Sequence, residues 1–188
     1  MSLSRSQLLA YAAPTVALQA MLVPLYNFLP PVYYSPEVGM VALTVATIFA
    51  VGRFWEALID PVIGALSDRT QSRFGRRRLW MLFGMPVSIC AAWFLLQPPL
   101  GASPFYLLFW LMVFYAGWTM IYVPHQSWGG ELSGDYAERT RIAGYRESGA
   151  FVGFLCATAV GIFYWIWFKG VAFPSYAQIV ASVGVFFV

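Results

Sequence analysis

Long apolar stretches separated by short polar segments dominate the hydrophobic pattern of this chain. A helix needs about 20 consecutive apolar residues to cross the hydrocarbon core of a bilayer. The pattern predicts six such helices, at about residues 8–29, 39–67, 79–96, 105–123, 142–168 and 173–188. Because the apolar sequence still runs on at Val188, we expect this chain to be a truncated piece of a longer membrane protein.

Clusters of proline and glycine mark the predicted loops, at residues 30–36, 98–104 and 124–130. Proline interrupts a helix because it lacks the amide hydrogen and clashes with the preceding turn. The last of these clusters is therefore expected to end the fourth helix. Ser133 and Asp135 follow it and are candidate caps for a short helix in the next loop, because Ser and Asp are favoured N-caps.

Composition excludes an ordinary soluble domain. The chain is 60% hydrophobic and only 10% charged, whereas soluble domains carry about 25% charged residues. The net charge of +3 does not indicate nucleic-acid binding, because the arginines cluster in a loop between apolar segments. Arg5, the arginines at positions 69–78, and Arg139 with Arg141 fall on one predicted side of the membrane. The positive-inside rule then places the N-terminus in the cytoplasm.

Three charged residues lie inside the apolar run of the second predicted helix. Arg53, Glu56 and Asp60 share one helical face, because residues three, four and seven apart stack. Charges at membrane depth are costly and usually mark an ion site or a pathway. Two interpretations stay open: an ion-coupling site at Glu56 and Asp60, or an internal Arg53–Glu56 ion pair that only holds the helix in its bundle. Sodium would use several oxygens there, whereas a proton needs one carboxylate.

Two sequence blocks carry a family resemblance. The first, RxWExxxDPxxGxxSDRTxSRxGRRR, covers residues 53–78, and the second, VPHQSWGGELSGDYAERTRIAGYRE, covers residues 123–147. Together with the six-helix pattern they resemble the N-terminal half of a major facilitator superfamily transporter, in the glycoside–pentoside–hexuronide:cation symporter group that contains melibiose permease. The resemblance implies an all-α membrane protein whose six helices form one half of a twelve-helix bundle, with the C-terminal half as its partner.

The resemblance also implies roles for individual residues. Glu56 and Asp60 match the paired acidic residues that bind the coupling cation, and Arg146 matches an arginine that helps to hold sugar. Tyr122 stands where melibiose permease is expected to have an acidic residue late in helix four. The acidic sugar ligand expected on helix one has no evident counterpart, and Gln19 and Ala20 stand near its position. Tyr122 and Gln19 are nevertheless candidate substrate residues. The gating motif of the superfamily on the cytoplasmic side falls on Gly64, Asp68, Arg69, Gly75, Arg76, Arg77 and Arg78.

Each of these implied sites has a plainer interpretation as well. The arginines of the basic loop fix topology whether or not they also form a charge-paired latch with Asp68. Arg146 either binds substrate through its guanidinium fork or pairs with Glu147 or a phospholipid at the interface.

The resulting prediction is a secondary active transporter of a bacterial inner membrane that couples uptake of a sugar or glycoside to a proton or sodium gradient. No cofactor or metal is expected beyond a possible sodium ion at Glu56 and Asp60, and no nucleic-acid partner. The alternatives are a transporter of lipid-like or other organic solutes, a membrane-embedded lipid enzyme, or a fragment that is inactive alone. The sequence contains no enzyme motif, and its single histidine disfavours the enzyme.

Overall fold

The computed structural model describes residues 3–35, 38–73 and 75–167, and all the regular structure in these ranges is helical. Five helices follow one another: α1 (Arg5–Tyr34), α2 (Ala42–Arg69), α3 (Arg76–Leu96), α4 (Pro104–Glu131) and α5 (Tyr136–Trp167). The predicted all-α architecture is therefore confirmed for the described part of the chain. The sixth predicted helix, at residues 173–188, lies outside the described residues.

Four segments are long and apolar enough to cross a membrane: Arg5–Val23, Ala42–Arg69, Arg76–Leu96 and Pro104–Glu131. Large apolar side chains on α2, such as Phe54, Leu58 and Val62, are exposed. Burying such surface in hydrocarbon is favourable, whereas water would oppose its exposure. The chain is accordingly an integral membrane protein.

The helices are longer than the apolar runs that predicted them. α1 continues through the proline pair at 30–31 to Tyr34, and α3 begins at Arg76, three residues before its apolar run. Proline holds φ near the helical value, so a helix can pass through it at the loss of one hydrogen bond. Arginine favours helix and can form a helical turn in water, which a count of apolar residues does not detect.

The fourth and fifth helices differ most from expectation. α4 was predicted to end near Val123, but it continues through Pro124 to Glu131. α5 was predicted to begin near Ile142 after a separate short helix, but it begins at Tyr136 as one helix. Asp135 caps it, because its carboxylate accepts a hydrogen bond from the Glu138 amide at 3.1 Å. The predicted short helix and the predicted fifth helix are thus one continuous helix.

The chain divides into two compact units. One contains residues 29–128, which include α2, α3 and nearly all of α4. In this unit Leu107, Leu111 and Phe114 of α4 are fully buried. Each of its three long helices carries one internal proline: Pro61 in α2, Pro86 in α3 and Pro124 in α4.

Close backbone approach at glycine joins α3 to α4. A Cβ on Gly84 would lie 2.8 Å from the Gly117 carbonyl oxygen, and a Cβ on Gly117 would lie 2.8 Å from the Ser88 amide nitrogen. Glycine is the only residue without a Cβ, so a larger residue at either position would push the helices apart.

The other compact unit contains residues 1–28 and 129–188. Its described part includes most of α1, residues 5–28, together with α5. Ser4 and Gln7 form a reciprocal cap at the start of α1: the Ser4 amide donates to Gln7 Oε1 at 2.9 Å, and the Gln7 amide donates to Ser4 Oγ at 3.3 Å. The Leu3 amide then donates to Glu138 Oε1 at 2.5 Å. The start of α1 is thereby tied to the first turn of α5.

Candidate functional site

The two acidic residues singled out by the sequence lie in the middle third of α2, within a segment able to span the membrane. Glu56 and Asp60 are both half-buried. They are one helical turn apart, so they lie on the same side of the helix. The structure gives each carboxylate a different partner.

Asp60 pairs with a residue that the sequence analysis did not select. The Thr119 hydroxyl of α4 donates to Asp60 Oδ1 at 2.8 Å, and Thr119 itself is fully buried. A hydroxyl carries one hydrogen and two lone pairs, so a hydroxyl that donates to a carboxylate still presents oxygen to a cation. Thr119 is the only Ser, Thr, Asn or Gln between Phe105 and Val123. A single polar residue within an apolar run is the feature of the sequence from which Thr119 could have been selected.

Glu56 pairs within its own helix. Arg53 Nη1 lies 2.7 Å from Glu56 Oε2, and the arginine side chain is 56% exposed against 19% for the glutamate. The same guanidinium lies 5.7 Å from the centre of the Tyr115 ring, within the range of a cation–π contact. The three charged side chains of this face, Arg53, Glu56 and Asp60, sum to a charge of minus one. One monovalent cation or one proton would make the group neutral.

Additional contacts fix α2 against α4 around these carboxylates. The Trp55 indole nitrogen donates to the Met112 carbonyl at 3.2 Å. One turn earlier, a Cβ on Gly52 would lie within 3 Å of both Leu111 and Tyr115 side-chain atoms. The two helices therefore touch along two turns, and this register places Thr119 opposite Asp60.

The candidate substrate residue Tyr122 lies in the same unit, at the end of an aromatic stack. Phe114 and Trp118 are stacked with ring centres 6.5 Å apart, and Trp118 and Tyr122 with ring centres 5.8 Å apart. One face of the half-buried Tyr122 ring is thus covered by Trp118. The stack contacts one face of the Tyr122 ring and holds the ring in place. The phenol hydroxyl is the group of this side chain that can form a hydrogen bond with a ligand.

Arg146 and Gln19 belong to the other compact unit. Both are half-buried. The Arg146 guanidinium donates to Glu147 Oε1 through Nε at 3.2 Å and Nη2 at 2.6 Å. This is the Arg146–Glu147 pair that the plainer interpretation predicted. The arginine side chain is 14% exposed and the glutamate side chain 66% exposed, so a solute would have to displace the glutamate to bind this guanidinium.

The basic loop contains an ion pair of the kind expected of a latch. Arg77 Nη2 lies 3.0 Å from Asp68 Oδ1, with the arginine side chain 10% exposed. Gly75 has φ of +92°, which only glycine adopts readily, and it directs the chain into α3. Gly64 lies where a Cβ would meet only Val123, at 3.6 Å. The remaining residues of the motif, Arg69, Arg76 and Arg78, are exposed.

Across the ranges given above, no three His, Cys, Asp or Glu side chains are grouped so that they could hold a metal ion. A sodium site in this region would therefore have to combine carboxylate oxygen with hydroxyl or backbone oxygen. Oxygen atoms are the ligands that hard cations prefer. Asp60 Oδ1 and Thr119 Oγ1 are two such oxygens already in contact.

Comparison with known proteins assigns the family. The model of the family described as MFS/sugar transport protein matches residues 10–187. Inner membrane symporter YicJ of Escherichia coli (strain K12) is 32% identical over 138 residues, which cover 69% of this chain and 27% of YicJ. YagG of the same organism, whose name includes "glycoside/cation symporter", is 29% identical over 140 residues, or 72% of this chain and 30% of YagG.

A mammalian relative is named for a different substrate. Sodium-dependent lysophosphatidylcholine symporter 1 of Mus musculus is 28% identical over 142 residues, which cover 71% of this chain and 27% of that protein. The chain thus spans about a quarter to a third of the length of each of these three curated relatives. The family match and the symporter relatives confirm the resemblance carried by the two sequence blocks. The chain belongs to the MFS/sugar transport protein family, in the glycoside–pentoside–hexuronide:cation symporter group of the major facilitator superfamily.

Proposed function

We propose that this protein is a secondary active transporter that couples movement of a small organic solute to a monovalent cation, sodium or a proton. The observation that supports the coupling is the charge of minus one shared by Arg53, Glu56 and Asp60 within a membrane-spanning helix. An uncompensated charge at membrane depth is unfavourable. A cation that binds there relieves it, and the bound cation can therefore favour one conformation over another.

Asp60 is the carboxylate at which we place the cation. Its neighbour Glu56 already has a guanidinium at 2.7 Å, whereas Asp60 has a hydroxyl whose oxygen can itself act as a ligand. Sodium would bind between Asp60 and Thr119, with further oxygens from Glu56 or the backbone. A proton would bind to Asp60 alone. In both cases the helix face becomes neutral, and the transporter can then expose the loaded site to the other side of the membrane by alternating access.

The solute is proposed to be a sugar or glycoside, in keeping with the family description and with the name of YagG. Arg146, Tyr122 and Gln19 are the residues proposed to contact it. Guanidinium, phenol and amide groups all form hydrogen bonds with sugar hydroxyls. Gln19 stands near the position of an expected acidic sugar ligand that has no counterpart in this sequence, and this departure from the family pattern leaves room for a different solute.

A second candidate solute is a lysophospholipid. Its support is the similarity to the mouse sodium-dependent lysophosphatidylcholine symporter. The uncharged amide of Gln19 can bind a zwitterionic head group as well as a neutral sugar. An acidic residue would instead favour a cation or a hydroxyl that donates a hydrogen bond, as sugars supply. The two candidates share the coupling site in α2 and differ only in the solute.

The membrane arrangement is also part of the proposal. We place the N-terminus and the basic loop at 69–78 in the cytoplasm of a bacterial cell, because arginine is enriched in cytoplasmic loops. The Asp68–Arg77 ion pair would then close the cytoplasmic side in one state and open in another. The C-terminal half of a twelve-helix transporter would supply the opposite wall of the solute pathway.

Uptake by the full-length protein reconstituted into liposomes tests this function. The panel contains radiolabelled melibiose, a methyl xyloside, glucuronate and lysophosphatidylcholine, each with an imposed sodium gradient, an imposed pH gradient, or neither. We expect one solute to accumulate only with a cation gradient. Asp60→Asn and Glu56→Gln should each abolish that dependence, because each brings the charge of the face to zero without a cation.

Asp135→Asn is the matched control for these two variants. It also removes one carboxylate, but asparagine caps a helix as well as aspartate does, and position 135 lies outside the spanning segments. Its cation dependence should equal that of the parent. Gradient-driven uptake that persists unchanged in Asp60→Asn and Glu56→Gln would overturn the coupling site. Accumulation of lysophosphatidylcholine but of none of the sugars would overturn the sugar proposal alone.

A further inference from the structure

The unit formed by α1 and α5 contains a close helix crossing next to Arg146. A Cβ on Gly149 would lie 2.9 Å from the Ala12 carbonyl oxygen, and a Cβ on Gly153 would approach the Val16 carbonyl oxygen still more closely. The two helix backbones are therefore in contact along these turns. Arg146, Gly149 and Gly153 are three and seven residues apart, so all three lie along one side of α5.

A single hydroxyl supplies a polar contact at this crossing. Thr15 is 4% exposed, and its Oγ1 lies 2.5 Å from the Ala12 carbonyl of its own helix. The same oxygen lies 3.2 Å from the backbone carbonyl of Arg146 on α5. The hydroxyl thus makes its shorter contact with a carbonyl of α1 and a second, longer contact with a carbonyl of α5.

We infer that Thr15 is a positioning residue that sets the height of Arg146 in the membrane, and that this height determines how well Arg146 reaches the transported solute. The inference rests on the proposed function, in which Arg146 contacts the solute. Thr15 itself acts through the α5 backbone and does not need to touch the solute.

The physical reason is that the glycine contacts contain no directional bond. Small residues let the two backbones approach closely, so the contact at Gly149 and Gly153 is van der Waals packing. A shift of one residue moves a side chain by about 1.5 Å along the axis. Hydrogen bonds between a hydroxyl and a carbonyl span about 2.5–3.0 Å. The 3.2 Å contact of Thr15 with the Arg146 carbonyl is at the long end of hydrogen bonding, and a shift of this size would break it. The Thr15 hydroxyl therefore opposes a shift of α5 along α1.

The same register relates Arg146 to the other candidate residue of this unit. Gln19 follows Thr15 by four residues, so it lies on the same side of α1, about 6 Å further along the axis. A contact that fixes the Arg146 carbonyl beside Thr15 thus also fixes the position of Arg146 along the helix axis relative to Gln19. A loss of register would disturb the spacing of both residues that are proposed to bind the solute.

Transport kinetics of Thr15 variants test the inference. Thr15→Val has nearly the same shape but no hydroxyl, and Thr15→Ser keeps the hydroxyl. Thr158→Val is the matched control, because the Thr158 hydroxyl donates only within α5, to the Phe154 carbonyl at 2.8 Å. Hydrogen bonds between membrane helices average about 0.6 kcal/mol, which corresponds to about a threefold change. We expect Thr15→Val to raise KM about threefold for the solute identified in the uptake panel, with kcat and the sodium or proton dependence unchanged.

A second measurement needs no solute. Arg146→Cys is introduced into protein whose two exposed cysteines, Cys90 and Cys156, are replaced by alanine. The backbone carbonyl at position 146 is retained, so Thr15 can still bind it. The rate of reaction with a membrane-impermeant methanethiosulfonate reagent should differ from the parent rate on adding Thr15→Val, because the thiol then lies at a different depth, and remain at the parent rate on adding Thr15→Ser or Thr158→Val.

The two measurements separate the possible failures. If no cation-driven uptake is found but the thiol rate depends on the Thr15 hydroxyl, the proposed function fails while the positioning of residue 146 stands. If Asp60→Asn abolishes coupling but Thr15→Val changes neither KM nor the thiol rate, the proposed function stands and this inference is overturned. A change in kcat alone, equal in Thr15→Val and Thr158→Val, would also overturn it.

Discussion

Removal of the Thr119 hydroxyl is the most direct test of the coupling site. Thr119→Val replaces the hydroxyl by a methyl group of similar size, so packing at this fully buried position changes little. The hydrogen bond to Asp60 Oδ1, 2.8 Å long, is lost. Because Thr119 has no exposed surface, water cannot take the place of the hydroxyl. Asp60 then keeps its charge but loses a neighbouring oxygen that could bind sodium.

The magnitude follows from the kind of bond. A hydrogen bond to a charged group contributes about 1.5–3 kcal/mol. Asp60 is only half-buried, so the lower limit applies, and 1.4 kcal/mol corresponds to about a tenfold change in an equilibrium constant. Taking the lost contact between sodium and the Thr119 oxygen as comparable in strength to that bond, we expect the sodium concentration for half-maximal uptake to rise about tenfold in Thr119→Val. The assay is initial uptake rate against sodium concentration at fixed pH, in proteoliposomes.

Thr119→Ser is the matched variant, since serine keeps the hydroxyl and should retain a sodium requirement close to that of the parent. A proton needs only the carboxylate, so uptake driven by a pH gradient should change less than sodium-driven uptake. Equal sodium requirements for Thr119→Val, Thr119→Ser and the parent would refute the assignment of this hydroxyl to the cation site.

Two further predictions concern packing and the basic loop. Gly117→Val should lower the thermal unfolding temperature in detergent, by an amount corresponding to about 1–3 kcal/mol of overpacking, because its Cβ would meet the Ser88 backbone. Gly130→Val, where a Cβ meets nothing within 4 Å, should leave that temperature nearly unchanged; equal shifts would contradict the packing argument. Asp68→Asn should slow solute counterflow several-fold without changing the sodium requirement, because it weakens the 3.0 Å pair with Arg77; an unchanged rate would exclude the latch.

The sequence predicted the helices better than their ends. Apolar length identified all five described helices, because the bilayer sets a minimum span. It could not identify the turns that extend beyond that span. The segment after Pro124 remains helical although it is rich in glycine, and α5 begins at a cap, Asp135, that had been assigned to a separate helix. Helical turns in water are fixed by caps and backbone bonds, to which a hydropathy pattern is insensitive.

For the candidate site, the sequence could predict neighbours within a helix but not across helices. The spacing of Arg53 and Glu56 was enough to predict their ion pair, because residues three apart on a helix meet. The pairing of Asp60 with Thr119 depends on how α2 packs against α4, which is set by Gly52, Trp55 and their partners. A pattern within one stretch of sequence cannot predict how α2 is positioned along α4.

The internal prolines of α2, α3 and α4 have a mechanical consequence. Proline has no amide hydrogen, so the carbonyl four residues earlier receives no helical bond from it. In α4 that carbonyl belongs to Met120, directly after Thr119, and in α2 it belongs to Ala57, between the two carboxylates. Bending at these points breaks no backbone bond, so each helix has a compliant joint beside the residues proposed to hold the cation. A small local force there can tilt the end of a helix while the rest of it stays stiff.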